Sequence, residues 1–320
     1  MIYSAPPKKT TVTIIPAYNA SKGDFLKYIF LNIELLLSNR ESDYIYIIDN
    51  NSEDDTDSKL TEFINKCRYK EKIIYKLSSS NLGSAGGFFE GVDYALKRNF
   101  DYVFLLDQDG FVNSDTLTIL KNQAFILKDN FSFLSSAVYD TNNSSNYLEY
   151  FRVKFNKTFG YFYPAISSNL ATKSSELLIK IDAGGNCGLL INLKNKMNFN
   201  SKLFMHFDDY EFCLRLANCH PGYLVLNSKV FHPNKAAQNS LNEYLKDKFL
   251  RYFIFFPTRT DQSNYIIARN YIFLLKLNMN RILFFFKAIN TLFLCLVFKR
   301  RFSLKSTFNI LRHLDLLFIK

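Results

Sequence analysis

The chain has 320 residues and is rich in aromatic side chains, with 33 Phe and 20 Tyr but no Trp. Its net charge of +11 is unevenly placed: residues 1–240 carry 26 Lys and Arg against 25 Asp and Glu, whereas residues 241–320 carry 14 against 4. This distribution argues against a nucleic-acid binder, which would carry its basic residues along the whole fold, and indicates a local anionic partner for the C-terminal segment.

The cysteines and the N-terminus indicate the compartment. Five scattered cysteines without a Cys-x-x-Cys pair predict reduced thiols instead of a disulfide framework. Residues 1–10 lack the apolar stretch of a signal peptide. We therefore expect a cytoplasmic protein.

Strands and helices alternate over the first 138 residues. The apolar and β-branched runs predict five strands, which are Thr10–Pro16, Tyr44–Ile48, Lys72–Leu77, Tyr102–Leu106 and Phe131–Val138. Helical patterns fill the intervals, beginning near Gly23, after Asp55, after Asn81 and at Ser114. Such alternation predicts an α/β fold with a doubly wound, mostly parallel sheet.

Polar motifs stand where three of these strands end. Pro16-Ala17-Tyr18-Asn19 closes the first strand, Asp49 closes the second, and Asp107-Gln108-Asp109 follows the fourth. Ligands of open α/β sheets bind at the carboxyl ends of the strands. An Asp-x-Asp pair also suits a hard divalent cation, although a polar turn without a metal is an equally simple interpretation.

Two glycine-rich stretches allow close backbone approach. Asn81–Gly91 opens a helix and is a weak phosphate signal, because it matches neither common phosphate-loop spacing. Gly184-Gly185 lies between two short predicted strands and would adjoin either another chain segment or a sugar. Between the two stretches, residues 140–175 predict an irregular insertion with a hairpin that could cover a cleft.

Acidic residues return at Asp208, Asp209 and Glu211, where a helix is predicted to begin. Helix capping explains one carboxylate there, but it explains two adjacent ones and Glu211 less well. His232 ends a further predicted strand, Gly222–Phe231, and is either a structural residue or a ligand.

The C-terminal segment is apolar and basic. Ile282–Phe298 has 17 residues, the short limit for a membrane-spanning helix, and its polar Lys287, Asn290 and Thr291 fall on one face. This pattern favours an amphipathic helix at a membrane surface, where Lys299-Arg300-Arg301 would meet anionic headgroups. A packing helix of a C-terminal bundle is the alternative.

Taken in order, these motifs resemble the inverting family-2 glycosyltransferases of the GT-A fold. The resemblance covers about residues 10–235, and Asn81–Phe88 is most similar to the branch of bacterial galactofuranosyltransferases and rhamnosyltransferases. One departure concerns the acceptor site, since that branch usually carries tryptophans there and this chain has none.

The resemblance implies roles for individual residues. Asp107, Asp109 and His232 would hold Mn²⁺ or Mg²⁺, and Asp209 would be the general base, assisted by Asp208 and Glu211. The acceptor would contact Gly184, Gly185 and Phe207. The nucleotide-sugar would be bound by Pro16, Ala17, Tyr18, Asn19, Asp49, Asn81, Gly83, Gly86, Gly87, Asp107 and Gln108.

The resemblance also implies partners. It predicts a catalytic domain over residues 1–240. The apolar and basic pattern of residues 241–320 separately predicts a helical, membrane-associating segment, which would be bound peripherally to the inner face of the cell membrane. The donor would be a UDP- or dTDP-linked hexose, and the acceptor a glycan or a lipid-linked glycan of a bacterial surface polysaccharide; a homo-oligomer is compatible with it. A non-catalytic scaffold subunit that binds sugar nucleotides is the alternative, while a nucleotidyltransferase would need a basic glycine-rich loop near the N-terminus.

Overall fold

The fold is given by a computed structural model that describes residues 9–171, 178–234 and 261–286. The strands are β1 Thr11–Ala17, β2 Tyr44–Asp49, β3 Ile73–Leu77, β4 Tyr102–Leu105, β5 Phe111–Val112, β6 Phe133–Asp140, β7 Asn143–Tyr147, β8 Arg152–Asn156, β9 Tyr161–Pro164, β10 Leu178–Ile181, β11 Ala183–Gly184, β12 Leu189–Asn192 and β13 Gly222–His232. The helices are α1 Leu26–Ser38, α2 Thr56–Lys66, α3 Gly83–Lys97, α4 Thr116–Ile126, α5 Ser168–Ala171, α6 Asp208–Ala217 and α7 Asp261–Asn278. Single 3₁₀ turns occur at Lys70–Lys72, Glu149–Phe151, Leu193–Asn195 and Ser201–Leu203.

The main sheet is mixed. Its order is β10-β13-β6-β12-β4-β1-β2-β3, with β5 paired to β13 and β7 paired to β6. The strands β1, β2, β3 and β4 are parallel, as the sequence predicts, but β12 enters antiparallel between β4 and β6. The predicted mostly parallel α/β sheet is confirmed, and β12 is an antiparallel strand within it, because it returns from the insertion without a helical crossover.

Alternate residues of the strands feed two separate cores. Val12 and Ile14 of β1 face the helices α3 and α6, whereas Ile15 faces α1 and α4. The near-continuous burial of β1, β4 and β6 follows from this two-sided cover. The apolar runs in the sequence are therefore strands of a sheet that is covered by helices on both faces.

The insertion after β6 contains the predicted hairpin. β8 and β9 pair antiparallel, and β11 joins them in a small three-stranded sheet. Phe155 of β8 packs against Phe162 of β9, with ring centroids 4.8 Å apart. The small sheet lies over the region where β12 begins, since Gly184 of β11 directly precedes it.

Helix α7 packs against the core that α3 and α6 share. Ile266, Ile267, Tyr271, Leu274 and Leu275 are buried, and Tyr271, Leu274 and Leu275 belong to the same core as α3 and α6. Among the helices in the described ranges, none is long and apolar enough to cross a membrane. Most of the predicted amphipathic helix Ile282–Phe298, and the basic triplet after it, lie outside the described residues.

Candidate active site

The carboxyl ends of five strands meet along one edge of the main sheet. β1, β2, β4, β6 and β13 all run in the same direction, so that the residues following them converge there. This edge brings together the sequence-predicted Asp49, Asp107, Asp109 and His232. The start of β12, which is antiparallel, brings the Gly184-Gly185 stretch to the same edge.

Gln108 ties the Asp-x-Asp turn to the loop after β1. Its Oε1 accepts a hydrogen bond from Tyr18 N at 2.8 Å, and its Nε2 donates to Tyr18 O at 3.1 Å. On the other side of that loop, Asn19 N donates to Ser52 Oγ at 2.9 Å. The three strand-end loops therefore form one hydrogen-bonded rim.

Asp49 is buried at this rim, and only one of its two carboxylate oxygens accepts hydrogen bonds from the described residues. Its Oδ1 accepts hydrogen bonds from Ser52 N at 2.8 Å and Ser52 Oγ at 2.6 Å. Its Oδ2 is buried without a hydrogen-bond partner. Burial raises the pKa of Asp49 even though the bonds from Ser52 oppose this. An unpaired buried acceptor is costly, so Oδ2 is suited to an N–H or O–H donor of a ligand.

The glycines of α3 face other parts of the protein. Gly83 has φ +67°, and a Cβ there would lie 2.2 Å from Phe204 O. At Gly87 a Cβ would lie 2.8 Å from Pro16 Cβ. Asn81 Oδ1 accepts from Gly83 N at 2.8 Å and caps the turn. These contacts explain the glycines by close packing; a nucleotide contact for Gly83, Gly86 and Gly87 stays a prediction.

His232 and Asp109 lie against each other. His232 Nε2 is 3.0 Å from Asp109 Oδ1, and His232 Nδ1 contacts Pro233 O at 2.9 Å. Burial alone would lower the pKa of His232, but the hydrogen bond to Asp109 and the charges of Asp109 and Asp107 outweigh burial and raise it. The third predicted ligand, Asp107, is half-buried on the same turn.

The His232–Asp109 contact is chemically suited to a cation. A carbonyl oxygen can only accept, so Nδ1 carries the proton toward Pro233, and a neutral ring would turn the lone pair of Nε2 toward the carboxylate. Two acceptors at 3.0 Å repel unless a proton or a metal ion joins them. Within the described ranges, no group of three or more His, Cys, Asp or Glu side chains is arranged to hold a metal ion. The donor atoms of Asp109 and His232 are of a kind that a divalent ion accepts, but Asp107, Asp109 and His232 as metal ligands all stay predictions.

Asp208 and Asp209 form a coupled pair of carboxyl groups at the start of α6. Burial is the main cause that raises the pKa of Asp208 to about 7, and the charge of Asp107 adds to it. Burial and the neighbouring charge of Asp208 raise the pKa of Asp209 well above its usual range. Asp208 Oδ2 is buried without a hydrogen-bond partner. Such a pair holds a proton near neutral pH and can accept or release one.

Helix capping explains these carboxylates only in part. The residue before α6 is Phe207, whose side chain makes no capping hydrogen bond, and Asp209 Oδ1 accepts a hydrogen bond from Tyr210 N of the first turn at 2.7 Å. Glu211 is bound by Arg215 through both oxygens, at 2.6 and 2.9 Å. Glu211 therefore stabilises α6 within the described structure, and its support of catalysis stays a prediction.

The predicted acceptor residues lie beside Asp209. A Cβ on Gly185 would lie 2.8 Å from the ring of Phe151 and 3.5 Å from Asp209 Oδ2, so both a chain segment and the carboxylate pair adjoin this glycine. Phe207 packs in an aromatic cluster with Phe162, Tyr210 and Tyr271. Contact of either residue with an acceptor stays a prediction.

Sequence reasoning missed Arg152. This fully buried guanidinium donates to the carbonyls of Ser136, Phe151, Gly185 and Cys187, at 2.5 to 3.1 Å. It thereby fixes the loop on both sides of Asn186, whose buried Oδ1 has no hydrogen-bond partner. A single arginine in a strand carries no sequence signal for such a role.

A family model described as glycosyl transferase family 2 matches residues 12–188. The chain belongs to this family. The match covers more than half of the chain and includes β1 to β4, the Asp-x-Asp turn and the Gly184-Gly185 stretch. No curated protein matches the whole sequence significantly.

Solved structures of glycosyltransferases share the fold. GalNAc-T7, crystallised with UDP, GalNAc and Mn²⁺, superposes with a TM-score of 0.59 at 12% identity; the comparison covers 85% of this chain and 48% of that one, so the chain spans about half the length of GalNAc-T7. Residues 1–349 of S. aureus TarS give a TM-score of 0.50 at 14% identity and cover 88% of each chain. At such identities the likeness establishes the fold alone.

The predicted GT-A fold is confirmed by these structures, and the predicted membership of glycosyl transferase family 2 is confirmed by the family model. The galactofuranosyl and rhamnosyl branch, the division at residue 240 and the individual site residues stay predictions. They are taken up in the proposals that follow.

Proposed function

We propose that this glycosyltransferase moves a hexose from a nucleotide-diphosphate sugar to a hydroxyl of a glycan or lipid-linked glycan, with inversion at the anomeric carbon. The observation that carries the proposal is the coupled pair Asp208–Asp209, whose pKa values are raised at the edge of the sheet where Asp107 lies. A carboxylate with a raised pKa is a stronger base than an ordinary aspartate. The alternative of a non-catalytic scaffold subunit gives no reason for such a pair.

The donor is bound along the rim of the three loops. Asp49 Oδ2, open and buried, accepts a hydrogen bond from the nucleoside. Tyr18 and Asn19 are held in place by Gln108 and Ser52, and they line the same pocket. UDP bound to GalNAc-T7 supports a uridine donor, and dTDP offers the same imide N–H.

Charge develops on the diphosphate as the glycosidic bond breaks. Asp109 and His232, with Asp107 beside them, would hold a Mn²⁺ or Mg²⁺ ion that neutralises this charge when bound. The histidine donor favours Mn²⁺, and the Mn²⁺ of GalNAc-T7 is consistent with it. The fold holds the side chains of Asp109 and His232 next to each other, with Asp107 on the same turn.

Asp209 removes the proton of the acceptor hydroxyl as that oxygen attacks the anomeric carbon. Asp208 keeps the pKa of Asp209 high, and Gly185 leaves room beside the carboxylate for the acceptor. One base and direct displacement invert the configuration. A galactofuranosyl or rhamnosyl transfer is the first specificity to test, because the Asn81–Phe88 motif resembles that branch.

The test combines a donor screen with one substitution. Thermal shifts with UDP- and dTDP-linked sugars, with and without Mn²⁺, identify the donor, since a bound ligand raises the stability of the native state by mass action. Asp209→Asn should then lower kcat about 10²- to 10⁴-fold while the donor affinity stays within a few-fold. Full activity of this variant overturns the base assignment, and donor binding without turnover by the wild-type protein favours the scaffold alternative.

We also propose that the C-terminal part lies on a membrane surface. The side chains of Ile282, Phe285 and Phe286 are more than 60% exposed. They follow α7. Leu275 of α7 and Met279 just after it lie against Gly160 at the turn of the β8–β9 hairpin, next to exposed Phe159. Exposed apolar side chains next to a segment of 14 basic and 4 acidic residues favour a bilayer with anionic lipids.

A further inference from the structure

The segment that leads into Asp208 has an unusual backbone. Phe204, His206 and Phe207 have φ values of +64°, +63° and +60°. Residues with a bulky side chain rarely occupy this left-handed region, because Cβ is crowded by the backbone. Three such residues within four positions persist only if the surrounding structure holds them there.

Helix α7 supplies the restraint through Asn270. The Nδ2 of this buried side chain lies 2.9 Å from Leu203 O, 2.8 Å from Met205 O and 2.7 Å from His206 O. The two N–H bonds of one amide group are therefore shared among three carbonyls of the segment. His206 is one of the residues with positive φ, and the buried carbonyls around it need donors, which Asn270 supplies.

Arg269 fixes the orientation of Asn270. Its Nε donates to Asn270 Oδ1 at 3.0 Å, and its NH2 group donates to Leu203 O at 3.0 Å. The Oδ1 atom is thus the acceptor of this pair, and the Nδ2 group is turned toward the segment. From the opposite side, Ala85 N of α3 donates to Phe204 O at 2.9 Å.

The conformation of residues 203–207 determines where the carboxylates of Asp208 and Asp209 lie. Phe207 O accepts the first hydrogen bond of α6, from Glu211 N at 2.9 Å, and the ring of Phe207 packs on Tyr271 with centroids 5.6 Å apart. The direction in which α6 starts, and with it the position of Asp208 and Asp209, is set by residues 203–207. The restraint on those residues comes from Asn270.

We propose that Asn270 is a positioning residue for glycosyl transfer: its amide holds residues 203–206 in the strained conformation that places Asp208 and Asp209 at the reaction centre. The inference rests on the proposed function, because the role of Asp209 as base is itself proposed there. Asn270 touches neither substrate; it acts through the segment.

The test uses the full-length protein with Asn270→Asp, which keeps the size of the side chain and removes the donor group. Asn278→Asp is the matched control, since Asn278 lies on the same helix and, among the residues that the structure describes, its side chain donates to Leu274 O of its own helix at 2.9 Å. Kcat, KM and the affinity for UDP with Mn²⁺, or for dTDP if the donor screen selects it, are measured together with hydrogen–deuterium exchange.

N270D should lower kcat about 10- to 100-fold, because a shift of 1 Å in a reacting group has effects of this order. The nucleotide affinity should stay within about threefold, since the nucleotide rim is built on other loops. Amide exchange should rise in residues 203–211 and stay unchanged in α3 away from Ala85. N278D should match the wild-type protein in all three measurements. Asn270→Ser, which retains one donor, should be intermediate and serves if N270D does not fold.

Two results overturn the inference: unchanged exchange in residues 203–211 of N270D, or raised exchange with a kcat equal to that of N278D. The proposed function fails differently. Full activity of D209N together with a loss of kcat in N270D removes the base assignment and leaves the positioning role, whereas the reverse combination removes the positioning role alone.

Discussion

His232 is the residue whose chemical state depends most directly on what its neighbours carry. Its Nδ1 proton is committed to Pro233 O, so that Nε2 is open to a second proton or to a metal ion, with Asp109 beside it in either case. Proton and metal therefore compete for the same atom. Metal affinity should rise with pH as His232 loses its second proton.

The first prediction is a titration of His232 in the metal-free protein. Asp109 and Asp107 raise the pKa of His232 against the opposing effect of burial, so its NMR titration midpoint should lie above 6.5, the usual value for histidine. Asp109→Asn should lower this midpoint, because a neighbouring charge and a charge-assisted hydrogen bond are lost. An unchanged midpoint for His232 would contradict the pairing.

The second prediction concerns the acid side of the pH–activity profile. The charge of Asp208 is the second cause, after burial, that raises the pKa of Asp209. A base must be deprotonated to act, so kcat/KM of the wild-type enzyme should fall as the pH drops through the raised pKa of the pair. Asp208→Asn removes one charge and should move this fall to lower pH, whatever its effect on the maximal rate. An acid limb that stays in place would show that the pair does not govern activity.

At the scale of elements, Arg152 joins four segments with one side chain. It starts β8 and donates to Ser136 of β6, to Phe151 before its own strand, and to Gly185 and Cys187 before β12. Its charge is fully buried, and backbone carbonyls, not carboxylates, receive its N–H groups. Removal of the guanidinium would take one donor from each of these carbonyls, although Phe151 O would keep the hydrogen bond from Gly185 N at 3.0 Å.

The third prediction follows from this arrangement. Arg152→Met should lower the free energy of unfolding by about 3–5 kcal/mol, because the loss of a buried partner leaves several acceptors unsatisfied. Lys154→Met, two residues along the same strand and less buried, is the matched control and should change it by no more than about 0.5 kcal/mol. Denaturant unfolding followed by circular dichroism gives both values. Equal stabilities of the two variants would contradict the structural role of Arg152.

Some features of the strands and helices could be predicted from the sequence, and others could not. The strand ends Asp49, Asp107 and His232 were predictable, because parallel strands with apolar interiors must finish at one edge of the sheet. The antiparallel orientation of β12 was not predictable, since a short apolar run does not show whether its strand is parallel or antiparallel to its neighbours. Apart from the bond of Arg152 to Phe151 O, the side chains of Arg152 and Asn270 bond carbonyls 16 to 67 residues away. A backbone acceptor is present at every residue, so the sequence does not show which ones are used.

At the scale of the whole molecule, the basic C-terminal part distinguishes this chain from a simple catalytic domain. Residues 1–240 are nearly neutral and contain all the proposed site residues, whereas α7 contributes the restraint by Asn270. The proposed boundary at residue 240 therefore divides a nearly neutral part from a basic part. It does not divide the proposed catalytic residues from all the residues that position them. Part of the C-terminal region completes the site, and the residues beyond it are proposed to meet the membrane.

The fourth prediction tests that membrane contact. Phe285→Ser with Phe286→Ser should weaken co-sedimentation with phosphatidylcholine vesicles containing phosphatidylglycerol by about tenfold or more, since two exposed rings no longer enter the bilayer interface. Phe125→Ser with Ile126→Ser removes an equally exposed pair at the end of α4 and is the matched control. Binding should also weaken as salt is added. A wild-type protein that does not bind these vesicles at physiological salt contradicts the proposal.

The distance along the chain between Asn270 and its partners affects when the enzyme becomes active during its synthesis. Leu203, Met205 and His206 leave the ribosome 67, 65 and 64 residues before Asn270 does. At about 5–20 residues per second this interval lasts about 3 to 13 s. A nascent chain can therefore assemble the strands of the main sheet, β1 to β13, before its catalytic segment is fixed. Sugar transfer would then begin only after the residues between His206 and Asn270 have been synthesised.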